Sequence, residues 1–162
     1  MRVALKKLLI KPKLNSMIKE LNLCIPGQPI SKARHKLARR GKFIRMYNPQ
    51  HKQNDEFKQC VIQQLPKNFI CFNGLVKIEI IFHIARPKSH YGIGKKSDCL
   101  KLNMPLYPMT KPDIDNYTKY VYDCFNQVIW KDDSLVYESR ERKVYSNTPK
   151  TLVHVIGEYI NG

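Results

Sequence analysis

The chain of 162 residues carries 29 Lys and Arg against 13 Asp and Glu, a formal net charge of +16, and 43% of it is hydrophobic. That size fits one domain with at most an appendage, and a chain this long buries roughly 70% of its unfolded surface without needing a staple. The composition excludes full-length disorder, no apolar run approaches a membrane span or a signal peptide, and five cysteines without a C-x-x-C pair read as reduced thiols rather than a disulfide framework.

Residues 1–16 hold Arg2, Lys6, Lys7, Lys11 and Lys13 without an acid, and Pro12 interrupts any helix there. They read as a basic N-terminal extension, with the domain proper spanning 17–162. A short strand is expected over 21–25, closed by the turn chemistry of Pro26-Gly27. Residues 29–40 read as a basic loop, and 42–47 as a strand stopped by Asn48-Pro49. Phe57, Val61 and Leu65, at i, i+4 and i+8, predict a helix over 50–65 that Pro66 ends. In 75–85, Val76, Ile78, Ile80, Phe82 and Ile84 alternate with Lys77, Glu79 and His83, the clearest strand in the chain. Residues 86–112 show no sustained period and read as a loop, long enough to be functional or mobile. Helical spacing returns over 113–128, and two strands, 134–145 and 151–159, follow around a hairpin-like connection at Ser146-Asn147-Thr148-Pro149. The expected fold is α+β, a single domain with a mostly antiparallel or mixed sheet and two main helices.

The charge is unevenly distributed. No acid occurs between Leu21 and Asn54, where Lys32, Arg34, Lys36, Arg39, Arg40, Lys42, Arg45 and Lys52 all fall. A second basic stretch runs from Arg86 to Lys111 through Lys88, and the acids gather instead at Asp113, Asp115, Asp123, Asp132 and Asp133. Such basic surface points to a polyanion partner. Carboxylates repel nucleic acid unless a cation neutralises them, so a basic chain with one acidic focus has the charge pattern of a metal-dependent nuclease. Mg²⁺ takes oxygen ligands, keeps several waters and needs only a few carboxylates. Asp113 and Asp115 would splay about 200° apart inside a helix. They can converge where an extended segment enters one, and Pro112 marks such an entry. Lys119 lies one turn beyond Asp115, placed to meet phosphate charge. Plainer roles exist for each: an N-cap for Asp113 or Asp115, a surface pair for Asp115 with Lys119, a turn at Asp132-Asp133. Their coincidence in one basic chain favours the metal site. No P-loop, G-x-G-x-x-G or G-x-S-x-G motif is present.

Asp113-Ile114-Asp115-Asn116, Lys119, Asp123 and Trp130-Lys131-Asp132-Asp133-Ser134 resemble the signature of the RusA-type Holliday junction resolvases, especially their phage and prophage members. Residues 25–34 and 86–91 are similar to further segments of that family, and the resemblance spans about Leu23 to Ile156. It implies a small α+β homodimer in the bacterial cytoplasm that cuts four-way DNA junctions with Mg²⁺, for which Mn²⁺ often substitutes. By position, Asp113, Asp115 and Asp133 match the three catalytic, metal-holding carboxylates and Lys119 the catalytic lysine, with Asp132 the neighbour of the third. Pro112 stands where some members have Arg, which would pass a phosphate contact to Lys111. The residues expected to line the DNA are Lys32, Arg34, Lys36, Arg39, Arg40, Arg45, Arg86, Lys88 and Lys111. No membrane or small-molecule partner is expected. Two other readings are a non-catalytic nucleic-acid-binding protein, whose aspartates are caps, and a metal nuclease acting on flaps or forks.

Overall fold

The structure, a computed structural model, describes residues 16–34 and 36–160. The expected extension, apart from Ser16, lies outside the described residues. The elements run β1 (Ser16–Pro26), β2 (Lys36–Arg40), β3 (Phe43–Tyr47), α1 (His51–Ile62), β4 (Val76–Ala85), α2 (Ile114–Phe125), β5 (Val136–Ser146) and β6 (Lys150–Ile160). Four strands form one mixed sheet in the order β1-β6-β4-β5, and β2 with β3 form a separate two-stranded ribbon. Within the main sheet only β4 and β5 run parallel, so the chain between them is a crossover that carries α2. No helix among the described residues is long and apolar enough to cross a membrane.

Periodicity explains the packing. On β4, Val76, Ile78, Ile80 and Phe82 are buried while Lys77, Glu79, Ile81 and His83 are only half-buried, the alternation of a sheet with one covered face. On α2, Tyr117, Tyr120, Val121, Cys124 and Phe125 are buried, the i, i+3, i+4, i+7, i+8 stripe of a helix lying on a core. Phe57 and Val61 of α1 join the same cluster. Burial pushes the Cys124 thiol up to about 11, so this cysteine is a packing residue and no nucleophile.

Three expectations need correction. Residues 29–40 are not wholly a loop: Lys36–Arg40 is a strand paired in register with Phe43–Tyr47. Gly41, at φ +62°, supplies the left-handed turn that closes this pair. The last two strands are not a hairpin. β6 pairs with β1 and β4, whereas β5 pairs only with β4. The short link at 147–149 therefore steps over the end of β4, about two strand spacings or roughly 10 Å, which a few extended residues cover. The second helix stops at Phe125, because Gln127 takes φ +62° and turns the chain away.

The long segment 86–112 is tied down rather than loose. Arg86 donates to the Pro105 carbonyl at 2.9 Å and lies 5.1 Å over the Tyr145 ring, which His90 meets edge-on. The Tyr145 amide donates to Leu106 at 2.9 Å.

Gly157 on β6 is packed under the Phe72 ring. A Cβ there would fall 2.3 Å from the ring, with a fully buried aromatic and its own strand unable to give way. Gly157→Ala is expected to lose at least about 1–3 kcal/mol of stability, read as a lower denaturation midpoint with an unchanged denaturant slope. A wild-type midpoint would show that the ring has room to move.

Candidate active site

The helix that lies on the core also builds the cleft. Ile114 begins α2, and Asp113 precedes it in extended conformation, φ −71° and ψ 154°. Asp113 thus occupies the N-cap position, yet its side chain makes no capping hydrogen bond. Lys143 of β5 fastens the approach to this point: its ammonium donates to the carbonyls of Thr110 and Pro112 at 3.1 and 3.0 Å. Opposite the buried stripe, Asp115, Thr118, Lys119, Tyr122 and Asp123 follow the same i, i+3, i+4, i+7, i+8 spacing. They line an open cleft of about 500 Å³, which Ile114, Lys32, Asp133 and Glu141 complete.

Asp133 returns to α2 because Trp130 is anchored. Its indole is fully buried, edge-on to Tyr122 and to Phe125. The Phe72 amide donates to Ile129 at 2.8 Å and the Lys131 amide to Phe72 at 3.0 Å, locking the chain on both sides of Trp130. Asp132 then caps the short 3₁₀ turn Asp133–Leu135, accepting from the Ser134 amide at 2.9 Å. Hydrogen bonds from Ser134, its side chain first and then its amide, hold the Asp132 carboxyl below the usual range. Of the two neighbouring acids, Asp132 serves the turn and Asp133 faces the cleft.

Lys32 reaches the cleft by a different route. Its amide donates to the Asn116 carbonyl at 2.9 Å, and its ammonium pairs with Asp123 at 2.7 Å. Gln50 fixes the residues on either side, donating to the Ser31 carbonyl at 2.8 Å and accepting from the Ala33 amide at 2.6 Å. On the β5 wall the Tyr122 hydroxyl donates to Ser139 at 2.8 Å, and the Ser139 hydroxyl donates to Glu141. Burial first, and the nearby Glu141 and Asp133 charges after it, raise the Tyr122 phenol, so it stays a neutral donor.

The structure thus brings Asp115, Lys119 and Asp133 onto one cleft, while Asp113 is not among its lining residues. Glu141 was missed in the sequence because it lies on an edge strand of mostly half-buried residues that shows no clear apolar alternation. Lys32 was legible as a basic residue and not as a wall of the acidic cleft. Of the other residues expected on DNA, Arg34, Lys36, Arg39, Lys88 and Lys111 are exposed. Arg86 is half-buried and engaged with its own loop, and the side chains of Arg40 and Arg45 lie outside what is described.

Four carboxylates and two ammonium groups line the cleft, a local negative excess on a chain of net charge +16. A phosphate would be repelled there unless a cation came with it. The donors are all oxygens, and the opening leaves room for water, which suits Mg²⁺. Among the described residues, no three His, Cys, Asp or Glu side chains are gathered closely enough to hold an ion by themselves. The cleft therefore fits an ion held by one or two carboxylates that keeps most of its water, and not a protein cage.

The family model of the endodeoxyribonuclease RusA matches residues 26–156, a span that includes every cleft residue named above. An uncharacterized protein, YqaN, of Bacillus subtilis (strain 168) is 32% identical over 139 residues, covering 83% of this chain and 94% of that protein.

The Lys119 ammonium lies 2.9 Å from the Asp115 carboxylate, and its hydrogen bond holds that carboxyl below the ordinary Asp range. Asp115 therefore stays ionised as pH falls through the usual carboxylate range. The pair's small stabilisation is present above the unfolded Asp pKa and fades only as pH passes the depressed folded value. In Lys119→Met the Asp115 midpoint is expected to move up toward the ordinary range, seen by carboxyl carbon NMR titration. An unmoved midpoint would mean that the pair does not form in solution.

Proposed function

The chain belongs to the RusA endodeoxyribonuclease family, and from that premise we propose that it is a Mg²⁺-dependent, structure-selective endonuclease. It resolves four-way DNA junctions by paired nicks, in the bacterial or phage-infected cytoplasm. The observation that carries this reading is the cleft itself, where Asp115, Lys119 and Asp133 meet on an acidic floor within an otherwise basic chain.

Asp115 and Asp133 would hold the ion, with Glu141 on the same cleft and Asp113 at the start of α2 as further carboxylates. When bound, the ion supplies charge neutralisation for the scissile phosphate and an activated water. The chain's own residues do the rest. Lys119 presents a positive charge on the same helix face as Asp115 and meets the extra negative charge that a phosphate gains as it is attacked. Lys32, held on α2 by its amide and by Asp123, adds a second cation at the rim. The α2 N-terminus contributes its partial positive charge beside the same phosphate.

The four-way substrate has near two-fold symmetry, so two cuts call for two such clefts, and a C₂ dimer provides them. The apolar stripe of α2 is spent on the chain's own core. The outward face of the sheet remains: Cys24, Leu152 and Ile81 lie side by side across β1, β6 and β4. That face is where the dimer would form.

With Mg²⁺, the wild-type protein is expected to nick a synthetic four-way junction in opposing strands, and EDTA is expected to stop it. Asp115→Asn and Asp133→Asn should reduce cutting to background while keeping junction binding. Lys119→Ala should slow it about 10²–10³-fold, as loss of one transition-state donor does. Near wild-type cutting by either Asn variant would remove the metal site. Equal cutting of flaps, forks and junctions would replace the junction by a broader substrate.

Sedimentation of the free protein is expected to give twice the chain mass, and Leu152→Glu with Ile81→Glu to give the monomer. A monomer both free and on the junction would leave paired cutting without a basis.

A further inference from the structure

Among the described residues the β2–β3 ribbon pairs with no other strand, and its composition is unusual for a surface hairpin. Leu37, Phe43, Ile44 and Met46 are 68, 82, 67 and 65% exposed, interleaved with Lys36, Arg39, Arg40, Lys42 and Arg45. Single exposed apolar residues are ordinary, but Leu37, Ile44 and Met46 share one face of the ribbon and Phe43 lies on the other, so both faces offer a contact surface. The register sets Leu37 opposite Met46 and Arg39 opposite Ile44, with Phe43 at the far end beside the Gly41-Lys42 turn. The absence of any acid between Leu21 and Asn54 makes the ribbon complementary to a polyanion. A phosphate clamp has no use for a solvated Phe at its tip, whereas the base stack of that polyanion does.

The root of the ribbon is fastened to the cleft. Lys32 bonds to the first turn of α2, and Gln50, just past the second strand, grips residues 31 and 33. Five residues of strand extend roughly 17 Å from that anchor, about five base-pair rises of 3.4 Å.

Building on the junction-nuclease reading, we propose that this ribbon is a wedge that inserts Phe43 and Ile44 between bases at the branch point of the DNA, a few nucleotides from the phosphate in the cleft. Inserting an apolar side chain into a continuous duplex costs a few kcal/mol of stacking per step. At a branch point the stack is already interrupted, so the same insertion costs least there. The ribbon thereby converts branched geometry into affinity, and its basic residues hold the flanking backbones.

The test uses the full chain in EDTA, so that no strand is cut, with 2-aminopurine placed at the branch point, far out in one arm, or in a linear duplex. Wild-type protein is expected to brighten the branch-point probe only. Phe43→Ser with Ile44→Ser, both solvent-exposed positions, should abolish the brightening and lower the preference for junction over duplex at least about fivefold, the low end of base–aromatic stacking. The salt slope should stay unchanged, because no charge is lost, and Phe43→Trp should retain the brightening. A double variant that keeps brightening and preference overturns the wedge, as does one whose defect is loss of the dimer in sedimentation. Wild-type protein that cuts junctions with Mg²⁺ while the branch-point probe stays dark overturns the wedge and leaves the nuclease standing. Wild-type protein that neither prefers nor cuts junctions overturns the nuclease reading and the wedge with it.

Discussion

Burial of Trp130 is the constraint on which the cleft depends. The chain leaves α2 at Phe125 and must bring an acid eight residues later back beside the helix it has just left. The indole does this by filling the space between Tyr122, Phe125 and the Phe72 segment. Its N–H has no hydrogen-bond partner among the described residues, which costs about 1–3 kcal/mol. Burying some 150–250 Å² of aromatic surface contributes about 4–6 kcal/mol, so packing outweighs the orphaned donor. With Trp130 seated and Asp132 spent on the turn, Asp133 has one direction left, and it is the cleft.

α2 is used on both sides. One stripe, shifted by two residues from the other, supplies five core residues, and its counterpart supplies five of the cleft. The positions of Asp115, Lys119 and Asp123 are consequently as rigid as the core beneath them. Their charges alternate along the face, and each acid has a lysine: Lys119 for Asp115, Lys32 for Asp123. Pairs this exposed contribute little stability. Their effect is to keep long lysine side chains at the cleft, where a phosphate would meet them.

The wider electrostatics follow a simple division. The main sheet and its helices hold the acidic focus, while the exposed ribbon and the loop 86–112 carry much of the basic excess outside it. By charge alone, a polyanion is attracted by the second and repelled by the first unless a cation neutralises it. The tethers of Arg86 and Lys143 make that loop a fixed wall beside the α2 N-terminus.

The sequence by itself determined the fold class, the two helices, the strand at β4 and the α2 entry at Asp113, because each is written in local spacing: period two, period 3.6, or a proline before a helix. It also determined that Asp115 and Lys119 share a face, since four residues make one helical turn. The order of strands was decided only by the tertiary structure. β5 and β6 look like a hairpin in sequence, and nothing local reveals that β4 is inserted between them. The ribbon at β2 was hidden because its lysines and arginines give no apolar alternation, and its pairing rests on a single left-handed glycine. The meeting of Asp133, Lys32 and Glu141 with α2 was likewise decided by long-range packing. They approach from a Trp-anchored turn, a glutamine-clamped segment and an edge strand, and side chains joined only through the core leave no period in the chain that encodes them.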